Sequence, residues 1–253
     1  ALIPNLVPRR LLLNAIALNQ ATQNGSRLLG PLAILPLLAT TGVGTAFLLC
    51  SGFYAISLAQ ALRVKTRSTG EIDPNRSFVS NMFDGLRYVY KTPILRAIVL
   101  MALFHCGLTM SFESLLPVLS AQRLDAEGAG FSVLMMSVGA GAMIAVIGIA
   151  GVQSESFKGK LFLNLGVLSG LTPAVLALSS GMPMAISAAV AMGASQAGFM
   201  TLTHTMIQAI TPDGVRGRVG AVYSVHIGGM MASANLINGG LADSLDAAML
   251  LLV

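Results

Sequence analysis

The chain has 253 residues, of which 55% are hydrophobic and only 10% charged; its formal net charge is +5 and its mean hydropathy +0.78. Soluble domains carry about 25% charged residues, so a water-facing surface cannot be covered here, and a soluble globular enzyme is excluded. A disordered chain is excluded too, since such chains are poor in apolar residues and rich in charge.

About 20 apolar residues cross one bilayer, and the apolar runs predict spans at 12–37, 43–62, 95–119, 131–152, 161–179, 183–210 and 219–241. An incomplete eighth begins near Asp246. Turn-forming breaks separate them, among them Thr40-Thr41-Gly42, Ser179-Ser180-Gly181-Met182-Pro183 and Pro212-Asp213-Gly214. The runs are continuous rather than alternating, which favours helices over membrane strands. Helices also satisfy every backbone polar group internally, as hydrocarbon demands. The predicted fold class is all-α, a polytopic transmembrane helical bundle with seven complete spans plus one partial.

The long polar connection 63–94 divides the chain into 1–62, the loop itself, and 95–253. Within it, Ser80–Tyr90 reads either as an amphipathic surface helix with Met82, Phe83, Leu86, Val89 and Tyr90 on its apolar side, or as a linker. The chain opens at Ala1 and closes at Val253 inside an apolar run, which reads as a fragment of something longer with its last helix truncated.

Basic residues fall on one side of the membrane if the spans alternate. Arg9 and Arg10 precede the first span. Arg63, Lys65, Arg67, Arg76, Arg87, Lys91 and Arg96 lie between the second and third, Lys158 and Lys160 between the fourth and fifth, and Arg216 and Arg218 between the sixth and seventh. The opposite loops hold Arg123 alone among basic residues, with Asp125, Glu127, Asp243 and Asp246. Such a bias sets orientation, so the basic side is expected to be cytoplasmic. The positive charge therefore requires no nucleic-acid partner.

Ionisable and amide groups inside a span are costly and mark candidate sites. In the first span, Asn19, Gln20, Gln23, Asn24 and Arg27 share about 140° of one face at 100° per residue. That stripe faces either a water-filled cavity or a pairing helix. In the third, His105, Thr109 and Glu113 share a face, suggesting a proton relay, a solvated mouth or a salt bridge. In the sixth, Gln196, Thr201, His204 and Gln208 lie on one side. The candidate cavity residues are Gln23, Asn24, Arg27, His105, Glu113, Gln196 and His204; Asp213, Arg216 and Arg218 are candidates for a cytoplasmic gate loop.

Cys50 and Cys106 lie in apolar runs outside any CxxC, so they read as small buried hydrophobes rather than metal ligands. Gly139, Gly141 and Gly148 superficially look like a nucleotide fingerprint, but no strand precedes them, and close helix packing explains them better. HExxH, GxSxG and P-loop patterns are absent, so no enzyme activity, metal or bound cofactor is expected.

Four segments carry a resemblance. They are Leu6-Val7-Pro8-Arg9-Arg10 with Asn14-Ala15 and Arg27-Leu28-Leu29-Gly30-Pro31; Asp84-Gly85-Leu86-Arg87-Tyr88-Val89 with Pro93-Ile94-Leu95-Arg96; Leu116-Pro117-Val118-Leu119; and Gln208-Ala209-Ile210-Thr211-Pro212-Asp213-Gly214-Val215-Arg216-Gly217-Arg218-Val219. Together they resemble the major facilitator superfamily, in its transmembrane secretion effector or enterobactin-exporter-like branch, over nearly the whole chain. Ser26, Ile34 and Leu35 depart from that family's glycine-rich run on its fifth helix. The resemblance implies that the chain covers about helices five to twelve, with 63–94 as the central cytoplasmic loop. It implies a secondary active transporter in a multi-pass cell membrane location, the bacterial inner membrane, exporting a small amphipathic drug- or siderophore-like molecule by alternating access. No cofactor is implied beyond a proton gradient as candidate driving force. The implied partners are the lipid bilayer, a small-molecule substrate and the missing N-terminal helices of the same protein. The alternative is a non-transporting membrane component or remnant acting with a partner.

Overall fold

The computed structural model describes residues 7–63, 77–124, 129–242 and 247–252, and some side chains within them, Arg27 among these, lie outside the description. After a 3₁₀ turn at Arg9–Leu11 come α1 (Leu12–Thr40), α2 (Val43–Leu62), α3 (Phe78–Lys91) and α4 (Pro93–Leu108). A second 3₁₀ turn at Ser111–Ser114 leads into α5 (Leu116–Arg123), α6 (Ala129–Ala150), α7 (Glu155–Ala177), α8 (Met182–Ile210), α9 (Asp213–Ala242) and α10 (Ala247–Leu252). No strand occurs among the described residues. The all-helical bundle is as the apolar runs predict.

Exposed and buried residues are distributed as lipid, not water, requires. Leu163, Val167, Leu168 and Leu171 on α7, Ile144 and Ile147 on α6, and nearly all of α2 are exposed apolar surface. Gln20, Asn24, His105, Ser169, Thr172, Ser195, Gln196, Thr201, Thr203 and Thr205 are buried. Buried hydroxyls return to their own helix: Thr201, Thr203 and Thr205 on α8 each donate to the carbonyl four residues back at 2.7–2.8 Å. Among the described residues, five helical segments are long and apolar enough to cross a membrane: Val43–Leu62, Pro93–Ser114, Gly130–Ala150, Glu155–Ala177 and Met182–Ile210. The two longest remaining helices, α1 and α9, have 29 and 30 residues, so each reaches about 43–45 Å at 1.5 Å per residue.

Three of the expected helical boundaries are corrected. The span predicted at 95–119 is broken: α4 ends at Leu108, and Glu113 lies in the 3₁₀ turn before α5. Pro117 explains this, because its ring excludes the carbonyl four residues back and it has no N–H to donate to Glu113. The helices at 161–179 and 219–241 begin earlier, at Glu155 and Asp213. Ser154 caps α7, its side chain accepting from the Phe157 N–H at 3.4 Å. Hydropathy starts a span where charge stops, whereas a helix continues until its cap. Lys158, Lys160, Arg216 and Arg218 therefore sit on helical turns rather than in loops.

The segment Ser80–Tyr90 is helical within α3, with Ser77 as its cap accepting from the Ser80 N–H at 3.2 Å. Val89 is fully buried, and α3 lies against α4 and α9. Residues 64–76 of the long connection, which include Lys65, Arg67 and Arg76, lie outside the described residues.

Two apolar clusters mark the two poles of the bundle. One joins Leu13, Leu95, Ile98, Ile149, Phe162, Ile207, Val219 and Val222, from the starts of α1, α4, α7 and α9 and the ends of α6 and α8. The other joins Leu116, Leu119, Leu134, Leu176, Ala185 and Ala189, from the opposite ends. Arg96, Lys158, Lys160, Arg216 and Arg218 all belong to helix turns at the first pole. A third, smaller cluster of Ala17, Ala142, Val146 and Ala197 joins α1, α6 and α8 between them.

Candidate functional site

Close approach of α6 and α8 builds the framework of the site. A Cβ at Gly141 would meet the Val190 carbonyl oxygen, and one at Gly193 would meet the Val138 carbonyl oxygen. The two helices thus touch backbone to backbone through reciprocal glycines, as small residues allow in lipid. Close packing, expected for the α6 glycines, is the role of Gly141; Gly148 faces open space.

Beside this contact, α1 completes a cavity of about 230 Å³. Its walls are Gln20, Gln23 and Asn24 from α1, Val138 and Ala142 from α6, Gly193, Gln196, Ala197, Met200 and His204 from α8, and Met110 just past α4. These positions lie midway along the helices, between the two apolar poles. The lining alternates amide groups with small apolar groups and thioethers, which suits a ligand with both polar and apolar surface.

Gln196 is held firmly and is only partly used. Its Nε2 donates to the Thr109 carbonyl at 2.7 Å. That carbonyl is free because α4 ends there, and helix C-termini leave carbonyls without intrahelical donors. The Gln196 Oε1 is buried with no partner among the described residues, so an acceptor remains at the cavity wall. Asn24 donates to the Gln20 carbonyl at 2.9 Å. His204 is half-buried, with its ring edge-on to Tyr223 of α9 at 4.9 Å between centroids.

Four of the seven residues singled out for a cavity, Gln23, Asn24, Gln196 and His204, line this one. Arg27 is one turn further along α1, and its side chain lies outside the described residues. His105 is not in the lining. Its Nδ1 is shared between the Thr109 and Ser169 hydroxyls at 3.1 and 3.0 Å, and its ring lies 4.3 Å from that of Phe199. Glu113 is half-buried in the 3₁₀ turn and also outside the lining, so the helical register linking it to His105 is absent.

Asp213, Arg216 and Arg218 occupy the first turns of α9. Asp213 and Arg216 form an ion pair, and Arg216 Nη2 donates to the Thr211 carbonyl at 3.2 Å. The Arg218 backbone packs over Gly85 of α3, where a Cβ would come within 3.0 Å of its carbonyl oxygen. A second α3–α9 link joins the Tyr90 hydroxyl to His226 Nε2 at 3.1 Å, while His226 Nδ1 meets the Val222 carbonyl at 2.8 Å. Sequence reasoning passed over Gln20 and Met110 as lining residues. Gln20 was legible as part of the α1 stripe; Met110 was not, since only the end of α4 turns it toward α8.

An apolar-surfaced helical bundle with a polar-walled cavity at mid-depth is the architecture of a multi-pass membrane protein. The family model for the transmembrane secretion effectors matches residues 1–253, and the chain belongs to that family, within the major facilitator superfamily and not among enzymes. Among curated proteins, it is 24% identical to the multidrug efflux pump Tap of Mycolicibacterium fortuitum over 213 residues, 81% of this chain and 51% of that protein. It is 22% identical to the uncharacterized MFS-type transporter YvqJ of Bacillus subtilis (strain 168) over 160 residues, 63% of this chain and 38% of that protein. The chain spans about half the length, or less, of these curated relatives. No solved structure matches it.

Proposed function

We propose that this chain is part of a secondary active transporter that exports a small amphipathic molecule by alternating access in the bacterial inner membrane. The observation that carries the reading is the mid-depth cavity walled by Gln20, Gln23, Asn24 and Gln196 together with Met110, Met200 and Ala197. Binding at the midplane between helical units that rock against each other is how such carriers work. The likeness to an efflux pump favours export as the direction. The cavity volume of about 230 Å³ is below the roughly 300–1,000 Å³ of small-molecule sites. In this reading the N-terminal helices of the same protein supply the remaining walls, and a proton gradient drives the cycle.

The test is export of an amphipathic fluorescent cation from cells carrying the intact protein, with Gln23→Leu as the probe variant. Gln23 lines the cavity and is exposed, so its loss should leave folding intact and lower the initial export rate about tenfold. Collapse of the proton gradient should stop export. Absence of energy-dependent movement of any amphipathic probe would favour the other reading, a non-transporting component acting with a partner.

A further inference from the structure

Behind the cavity wall lies a cluster of three sulfur atoms. Cys106 Sγ sits 3.9 Å from Met110 Sδ and 3.9 Å from Met200 Sδ. Cys106 and Met110 are neighbours in chain by one helical turn, and Met200 arrives from α8. Cys106 is fully buried, while Met110 and Met200 line the cavity, so the cluster has an entry path. A thiol carries one proton and cannot donate it to both thioethers at once. One hydrogen bond therefore leaves the second thioether held by apolar packing alone, in the cluster that contains Cys106 and Met200 with Met110 against it.

We propose that Cys106, Met110 and Met200 form a binding site for a soft monovalent metal cation, Cu(I) or Ag(I). The ligand chemistry is right, because thiolate and thioether donors select soft ions while Mg²⁺ and Ca²⁺ require oxygen. The spacing is right as well. Three sulfurs in a plane around a metal, each at the metal–thiolate length of about 2.3 Å, lie about 4.0 Å apart; the two separations that meet at Cys106, each 3.9 Å, match two edges of that triangle. Charge decides between candidate metals. On binding, the metal replaces the Cys106 Sγ–H proton, which leaves through the cavity to water. Thiolate and monovalent cation cancel, so the occupied site is neutral. A divalent ion held by the same three groups would leave a net charge in an apolar interior, at a large desolvation cost. Neither cysteine belongs to a recognisable ligand motif in sequence, because the site combines an i, i+4 pair with a residue from a distant helix.

The test uses the intact protein purified in detergent under reducing conditions, with Cys50→Ala removing the other thiol of residues 1–253. Cu(I) is titrated against a chromophoric Cu(I) chelator, Ag(I) serves as a redox-inert repeat, and Zn(II) as the divalent comparison. The expected result is one Cu(I) or Ag(I) per chain, with one proton released. The affinity should rise tenfold per pH unit while the thiol is protonated. Met110→Leu and Met200→Leu, which nearly conserve volume, should each weaken binding at least tenfold. X-ray absorption of the copper-loaded protein should show sulfur neighbours alone, at about 2.3 Å. If Cys106→Ala impairs folding, the Met110→Leu/Met200→Leu double variant decides the matter. Unchanged affinity in that folded double variant, nitrogen or oxygen ligands in the spectrum, or Zn(II) bound as tightly as Cu(I), would overturn the proposal. Because binding is read on purified protein, the result stands apart from whether the protein exports anything.

Discussion

Gln196 joins two roles in one side chain. Its amide nitrogen closes the open C-terminus of α4 through the Thr109 carbonyl, and its amide oxygen is left at the cavity wall. Interhelical hydrogen bonds in membrane proteins average about 0.6 kcal/mol and reach about 1.7 kcal/mol. Gln196→Leu also leaves a buried carbonyl without a donor, so a loss of about 1–2 kcal/mol is expected, visible as a lower melting temperature in detergent. Gln196→Glu places an acceptor where the donor stood and should be at least as damaging; a melting temperature equal to that of the parent protein in both variants would remove the capping role. His105 shows the opposite division. Its ring is packed on Phe199 and its Nδ1 is shared by two hydroxyls. Those contacts make it a helix-joining residue linking α4, α7 and α8.

At the scale of elements, the α6–α8 contact sets the geometry of everything around the cavity. Gly141 and Gly193 each face a backbone carbonyl, which cannot move aside as a flexible side chain can. Gly193→Ala or Gly141→Ala should therefore force the helices apart and cost about 1–3 kcal/mol or more. Reduced yield and a lower melting temperature would register it. Gly148 is on the same α6 but faces open space. Gly148→Ala should be neutral or slightly stabilising, because alanine is favoured over glycine in a helix by about 0.8–1.0 kcal/mol. Equal effects at Gly141 and Gly148 would show that glycine content, not helix contact, governs α6. The helix α3 is a second case in which packing decides. Its amphipathic pattern suits a membrane surface, yet Gly85 and Val89 face protein while Phe83 stays exposed.

For the whole molecule, the separation of two apolar poles with basic residues at one of them makes a statement about orientation. If the basic pole is cytoplasmic, a cysteine introduced at Lys160 of a Cys50→Ala/Cys106→Ala protein should react with a membrane-impermeant maleimide only in inside-out vesicles. A cysteine at Ser180, at the other pole, should react only from outside intact cells. Reversed labelling would invert the positive-side assignment. The exposed apolar surface of α2 also belongs to this scale. Ala46 is its only buried residue, so α2 meets its environment almost entirely outside the described packing, as a lipid-facing or partner-facing helix does.

The class of protein and the helical segments were legible in sequence because they follow from composition and from runs long enough to cross a bilayer, which are local properties. The polar stripe on α1 was legible for the same reason, being a matter of helical angle along one segment. The break at Glu113 had a local signal in Pro117 that the apolar run masked. The pairing of Gly141 with Gly193 and the approach of Met200 to Cys106 were not legible. Each depends on where one helix stops relative to another, and distances across the bundle are decided by backbone contact between segments more than 50 residues apart. Sequence therefore determined which residues are costly to hold in lipid. Tertiary structure alone decided which of them share a cavity, because that depends on which helix faces meet.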